Sequence, residues 1–199
     1  VKASDFRVSA PGRVTGQLVG LDGQATATVS ETAALTTSVD GTGGSWGSIV
    51  ARPGSGNSYS VWANPAKFCP TADDALDATA GWVQLAADVA GPITIATPRS
   101  FSSTAGVDQG AIGACLPGGS LRYYRGTIVA TTTPAGNHYT FNDVILEDYL
   151  KGVVPRESPA SWGAAANGAG MNALRAQAVA ARSYAVASTP RASGAKICD

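Results

Sequence analysis

The stretch that decides the fold is Leu146-Glu147-Asp148-Tyr149-Leu150-Lys151-Gly152-Val153-Val154-Pro155-Arg156-Glu157-Ser158-Pro159-Ala160-Ser161-Trp162. Ahead of it, apolar residues alternate as in strands. Within it, Leu146, Tyr149, Leu150 and Val153 recur at i, i+3, i+4 and i+7, which is one face of a helix. Gly152 weakens that helix. Pro155 is expected to stop it, because proline has no amide proton and its ring strikes the preceding turn. A second, longer helix is expected over residues 171–188. On a 3.6 period Met171, Leu174, Ala178, Val179, Ala185 and Val186 fall on one side, with Ala173, Gln177, Ala180, Tyr184 and Ser188 opposite. Arg175 and Arg182 are its only charges. A helix that is small and apolar nearly all round is expected to be buried on more than one face.

Working outward, the first 65 residues read as strands and turns. Segments 13–19 and 26–29 flank a turn signal at Leu21-Asp22-Gly23, and segments 48–52 and 58–62 flank Pro53-Gly54-Ser55-Gly56-Asn57, a hairpin signature. Strand patterns continue at 81–85 and 92–96. Residues 121–130 alternate well enough for one strand, paired with 137–142 across Pro134-Ala135-Gly136. The expected fold class is therefore α+β. A β-rich N-terminal segment, sheet or small barrel, covers residues 1–65. Residues 66–199 follow, with strands and two helices, the longer one buried. Trp46, Trp62 and Trp82 lie in the β-rich half. Core or strand packing is the favoured reading for them, over an exposed sugar-stacking platform.

Bulk composition removes several function classes. The 199 residues carry 14 basic and 14 acidic side chains, so nothing points to nucleic acid or an anionic membrane. Charged residues are 14%, against the usual 25% or so, and small residues fill the difference. No apolar run reaches the roughly 18 residues of a membrane span. The chain begins at Val1, which is read as a processed or trimmed form. Cys69, Cys115 and Cys198 form no C-x-x-C pair. A Cys69–Cys115 disulfide is the preferred reading, from their proline-flanked loop contexts, and it places the chain outside the cytoplasm. Cys198 is read as having lost its partner to truncation. With a single histidine, His138, no metal or other cofactor is expected, and His138 is read as a half-exposed strand residue.

Glu157 is the one candidate acid/base. It sits between Pro155 and Pro159, with Val153, Val154 and Trp162 as apolar surroundings. Such surroundings disfavour the carboxylate anion, and a protonated carboxyl can donate to a leaving oxygen. The other reading is a glutamate bound to backbone amides or paired with Arg156. Arg182, if buried, needs an acidic partner. Pairing with Glu157 would oppose an acid role, so Glu147, or contact with substrate, is favoured. Gln177 has two readings, a hydrogen bond to a sugar or amide group and a satisfied core amide. Ser158, Ser161 and Ser183 lack a histidine partner, which argues against a serine hydrolase.

The chain resembles the SpoIID/LytB family, the stage II sporulation protein D and amidase-enhancer proteins. The resemblance rests on Tyr124-Arg125-Gly126, residues 146–155, the Glu157 to Trp162 run, and Ala173-Leu174-Arg175-Ala176-Gln177-Ala178-Val179-Ala180-Ala181-Arg182-Ser183-Tyr184. It covers about residues 120–199. It implies a secreted or cell-wall protein acting on peptidoglycan glycan strands, with a wall amidase as a second partner class. Sporulation members are lytic transglycosylases whose catalytic glutamate lands on Glu157. One carboxyl group suffices there, because the sugar's own hydroxyl replaces the water of an ordinary glycosidase. The alternative the resemblance leaves is a non-catalytic enhancer of a wall amidase. Ser158 stands where the family usually has Met, and residues 163–170 read as a small flexible insertion. The chain also stops at Ile197-Cys198-Asp199, where family members continue, so a C-terminally truncated region is expected. The family's zinc or disulfide site, where it occurs, is represented only by Cys198.

Overall fold

The computed structural model describes residues 3–7, 13–18, 25–29, 35–41, 44–67, 69–70, 74–98, 110–116, 120–187 and 196–198. In chain order the elements are β1 (Ala3–Arg7), β2 (Arg13–Gln17), β3 (Ala25–Val29), β4 (Thr36–Thr37), β5 (Ser48–Pro53), β6 (Ser58–Asn64), β7 (Val83–Ala90), β8 (Ile93–Ala96), β9 (Ile112–Cys115), β10 (Leu121–Tyr124), β11 (Thr127–Thr132), β12 (His138–Ile145), α1 (Leu146–Glu157), α2 (Met171–Ala187) and β13 (Lys196–Cys198). Two 3₁₀ segments lie at Ala78–Ala80 and Ala160–Gly168. The fold class is α+β. The chain divides into two compact units, Val1–Gly16 with Asp143–Asp199, and Gln17–Asn142. The boundary expected near residue 65 falls inside the second unit.

The Gln17–Asn142 unit is built from sheets. One runs β10-β9-β3-β5-β6-β7, and β12, β11, β8 and β4 are successive neighbours in the other. The β5–β6 hairpin forms across residues 53–57, with Val50 opposite Trp62 and Ile49 opposite Ala63. Strand alternation then separates two cores. Ile49, Ala51, Tyr59, Val61 and Ala63 point one way, into a cluster with Ile93, Ile95, Ile128 and Ala130 of the other sheet. Val50 points the opposite way, onto Leu76 and Trp82. Of the two shapes expected, sheet or small barrel, packed sheets are what these residues build.

Residues 121–130 form not one strand but two, β10 and β11. β10 pairs with β9 and β11 with β8, in different sheets. The cause is Gly126 at φ +86, a left-handed turn that glycine adopts without steric penalty. β12 lies beside β11, and Thr133 donates its amide to the Asn137 carbonyl to close the turn between them.

In the other unit, β1 pairs antiparallel with β13 and with β2, placing Ala3 opposite Cys198 and Phe6 opposite Gly16. Neither β1 nor β13 is evident in the sequence pattern. Tyr149 and Leu150 of α1 pack with Ala181 and Ala185 of α2, over Val14 and Val144. Leu146 and Val153 border this cluster, so the i, i+3, i+4, i+7 face is the packed one. The expectation of a buried α2 is corrected. Only Ala181 and Ala185 are buried, while Val179 is 65% exposed and Val186 59%. Alanine side chains are short enough to seat the helix closely along one face. Among the described residues, α1, β1 and the Ala160–Gly168 segment lie against α2, with Val14 and Val144 beneath it.

Candidate functional site

α1 follows β12 without a loop, at Ile145. Glu147 and Asp148 occupy its first turn and Arg156 its last, the placement that complements the partial charges of helix ends. Lys151 Nζ meets Asp148 Oδ1 at 2.7 Å, one turn along. Pro155 does not stop the helix, as its chemistry led one to expect. It sits inside the last turn. It withholds a hydrogen bond from the carbonyl of Lys151, but Ser158 still donates its amide to the Val154 carbonyl at 2.9 Å, and that bond carries the turn past the proline. Glu157 is therefore the last residue of α1, not a loop residue. Ser158 next to it is buried and forms the corner.

The Glu157 side chain is exposed. The apolar enclosure expected from Val153, Val154 and Trp162 is not formed. Val153 borders the cluster between the helices, and Trp162 is 49% exposed. Among the described residues, Glu157 has no hydrogen bond or ion pair, with Arg156 or any other group.

Arg182 takes the partner that charge balance favours. Its Nη2 donates to Glu147 Oε2 at 2.9 Å, and Nη1 lies 2.6 Å from Oε1. The pair ties α2 to the first turn of α1, in solvent rather than in a core. The hydrogen bond from Arg182 holds the Glu147 carboxyl below its usual range, with its positive charge adding to this. Arg182 shifts upward for the same reason. Gln177 is half-buried on α2. Five positions from Arg182, it is turned about 140° from it round the helix, so the two side chains do not converge.

The segment read as a flexible insertion, residues 163–170, is folded. It belongs to 3₁₀ turns broken at Ala165–Asn167, where Ala166 and Asn167 take positive φ. Gly163 is buried 3.0 Å from Met171 Cε, measured from where a Cβ would stand.

The remaining candidates are structural. A disulfide joins Cys69 and Cys115 across 46 residues. Trp82 is buried, Trp62 packs beside it, and Trp46 donates its indole N–H to Asp40 at 2.8 Å. Trp46 also packs against the larger core, so all three serve packing. His138 Nδ1 lies 2.8 Å from Thr132 Oγ1, which is 3.0 Å from the Tyr59 hydroxyl. Burial pushes the Tyr59 hydroxyl's pKa up, and the Thr132 hydrogen bond opposes that shift. A shallow cleft of about 300 Å³ lies beside them, lined by Gly56, Asn57, Thr132, Thr133, Pro134 and Gly136. It belongs to the Gln17–Asn142 unit, not to the unit of Glu157. Among the described residues, no cluster of His, Cys, Asp and Glu could hold a metal ion.

Glu157, Gln177 and Arg182 thus share one unit and one pair of helices. Residues 135–199 match the model of the SpoIID family, described as stage II sporulation protein. This third of the chain is similar to the SpoIID family. It contains α1, the 3₁₀ turns and α2, and therefore every residue just named. Tyr124-Arg125-Gly126 lies ahead of the SpoIID match. No curated protein and no solved structure was found to match the chain. Besides the course of α1 past Pro155, the reading of residues 146–162 missed the exposure of Trp162. The sequence places it among the apolar surroundings of Glu157, and only the fold shows that about half of its surface stays in water.

Proposed function

We propose that this chain acts on peptidoglycan glycan strands outside the cytoplasm, as a lytic transglycosylase with Glu157 as both acid and base. The observation that carries this reading is a carboxyl group at the end of α1, inside the segment similar to the SpoIID family, that is exposed and unpartnered among the described residues. A glutamate serving the fold would be tied to an amide or a cation, as Glu147 is tied to Arg182.

In the first step the protonated Glu157 gives its proton to the glycosidic oxygen. The C1–O bond breaks and its electrons leave with that oxygen. The carboxylate then takes the proton of the same muramic residue's C6 hydroxyl while O6 bonds to C1, closing a 1,6-anhydro ring. The proton count returns to its start, and neither water nor a second carboxylate takes part. The glycan strand, once bound, supplies the water exclusion that the free protein lacks at Glu157. Gln177 is proposed to bind substrate. Arg182 reaches the same role through its exposed edge, while its bond to Glu147 holds the two helices in register. The Cys69–Cys115 disulfide supports an extracellular setting, where such bridges persist. No helix among the described residues is long and apolar enough to cross a membrane.

The test is digestion of glycan strands stripped of stem peptides, with mass spectrometry of the ends. The protein should produce 1,6-anhydromuramyl ends, and Glu157→Gln should produce none while keeping its circular dichroism spectrum. Strand binding without products, from the protein itself, would instead make it a non-catalytic wall-binding partner of an amidase.

A further inference from the structure

Trp162 differs from the other three tryptophans in what its surroundings use it for. Trp82 is 2% exposed, and Trp46 and Trp62 pack on cores, whereas Trp162 leaves 49% of its surface in water. Its backbone, by contrast, is held on both sides. Its amide donates to the Pro159 carbonyl at 2.9 Å. Gly170, at the start of α2, approaches so closely that a Cβ there would stand 1.8 Å from the Trp162 carbonyl oxygen. The next residue, Gly163, is buried against Met171 and Leu174. The protein fixes the peptide and leaves about half of the residue's surface in water, unlike a packing tryptophan.

We infer that Trp162 is a carbohydrate platform, on which a pyranose ring of the glycan strand stacks to place a neighbouring linkage over Glu157. The inference rests on the acid/base reading of Glu157. An indole face is apolar and carries negative quadrupole charge, which suits the C–H-lined face of a sugar ring. Trp162 lies five positions after Glu157. That bounds their Cα atoms to about 17 Å even if the chain were extended. The buried corner at Ser158 and the turn at Pro159 bring them closer still. Both side chains are exposed on one unit, at a separation that a short run of sugars can span. Stacking reads ring shape and not charge, so strands stripped of their peptides and neutral N-acetylglucosamine oligomers should both bind.

The test separates this inference from the acid/base reading by using Glu157→Gln, which should bind without cleaving. Strand affinity is measured by isothermal titration calorimetry, with quenching of intrinsic fluorescence recorded alongside, in Glu157→Gln alone and combined with Trp162→Ala or Trp162→Phe. Affinity should fall about tenfold with alanine, recover largely with phenylalanine, and most of the quenching should vanish in both. With Glu157 intact, Trp162→Ala should raise KM more than it lowers kcat. Unchanged affinity and KM in Trp162→Ala would overturn the platform and leave the acid/base reading standing. Strand binding through Trp162 with no product from the unmutated protein would do the opposite. If the alanine variant fails to fold, the phenylalanine variant decides: quenching undiminished relative to the unmutated tryptophan overturns the platform.

Discussion

Glu147 and Arg182 lie on different helices and meet in water, so their bond serves as a probe of how the helices are held. The Glu147 pKa is lowered in the fold relative to its ordinary value of 4.5. The contribution of such a group is present above the unfolded pKa and is lost as pH falls through the folded one. The Tm difference between the protein and Glu147→Gln should therefore be present at neutral pH, shrink as pH drops below about 4.5 and weaken with added salt, measured by thermal melts. An equal difference at low and neutral pH would mean that the pair does not act through charge. The preference for Glu147 over Glu157 was legible, because a shared salt bridge would defeat an acid role. Where the pair would sit was not. An alanine-rich helix does not state in its sequence which side it turns to water, so Arg182 reads as a buried cation that needs a partner when it is an exposed one that has found one. Glu157 shows the same limit: its neighbours are apolar, yet Val153 turns toward Ala181 and Ala185 and leaves the carboxylate open.

Elements were legible where a period repeated and illegible where a single residue broke it. The packed face of α1 follows directly from its apolar spacing. Leu150, 7% exposed, should lose about 2–5 kcal/mol on change to Ala, read as a lower urea midpoint at unchanged slope. Val186→Ala, on the exposed side of α2, should move the midpoint little. The reverse ranking would mean that the helices pack through another face. Gly126 cuts an unbroken alternation into β10 and β11, which period counting alone cannot anticipate. Short strands such as β1 and β13 pair with distant residues, and their signal is too brief to separate from loop. Gly170→Ala is a sharper test of the corner between the helices. A methyl group there cannot coexist with the Trp162 carbonyl, so the variant should melt lower and shift the fluorescence of Trp162. An unchanged melt and spectrum would show that the corner yields freely.

For the molecule as a whole, α+β character was legible, because patterns of period 2 give way to 3.6 after Asp143. The two compact units were not, because one of them joins the start of the chain to its end. The disulfide was readable from its loop contexts. Closing 46 residues, it should stabilise by about 4 kcal/mol in the loop-entropy picture, so reduction or Cys115→Ser should lower the Tm strongly, and a melt unchanged by reductant would refute its structural role. The most direct trial of Glu157's proposed role concerns the origin of one oxygen atom. Glycan strands cleaved in water enriched in heavy oxygen should give anhydromuramyl ends with no label, made by the protein and not by Glu157→Gln. Labelled reducing ends, or full cleavage by Glu157→Gln, would contradict a single carboxyl group closing the sugar on itself.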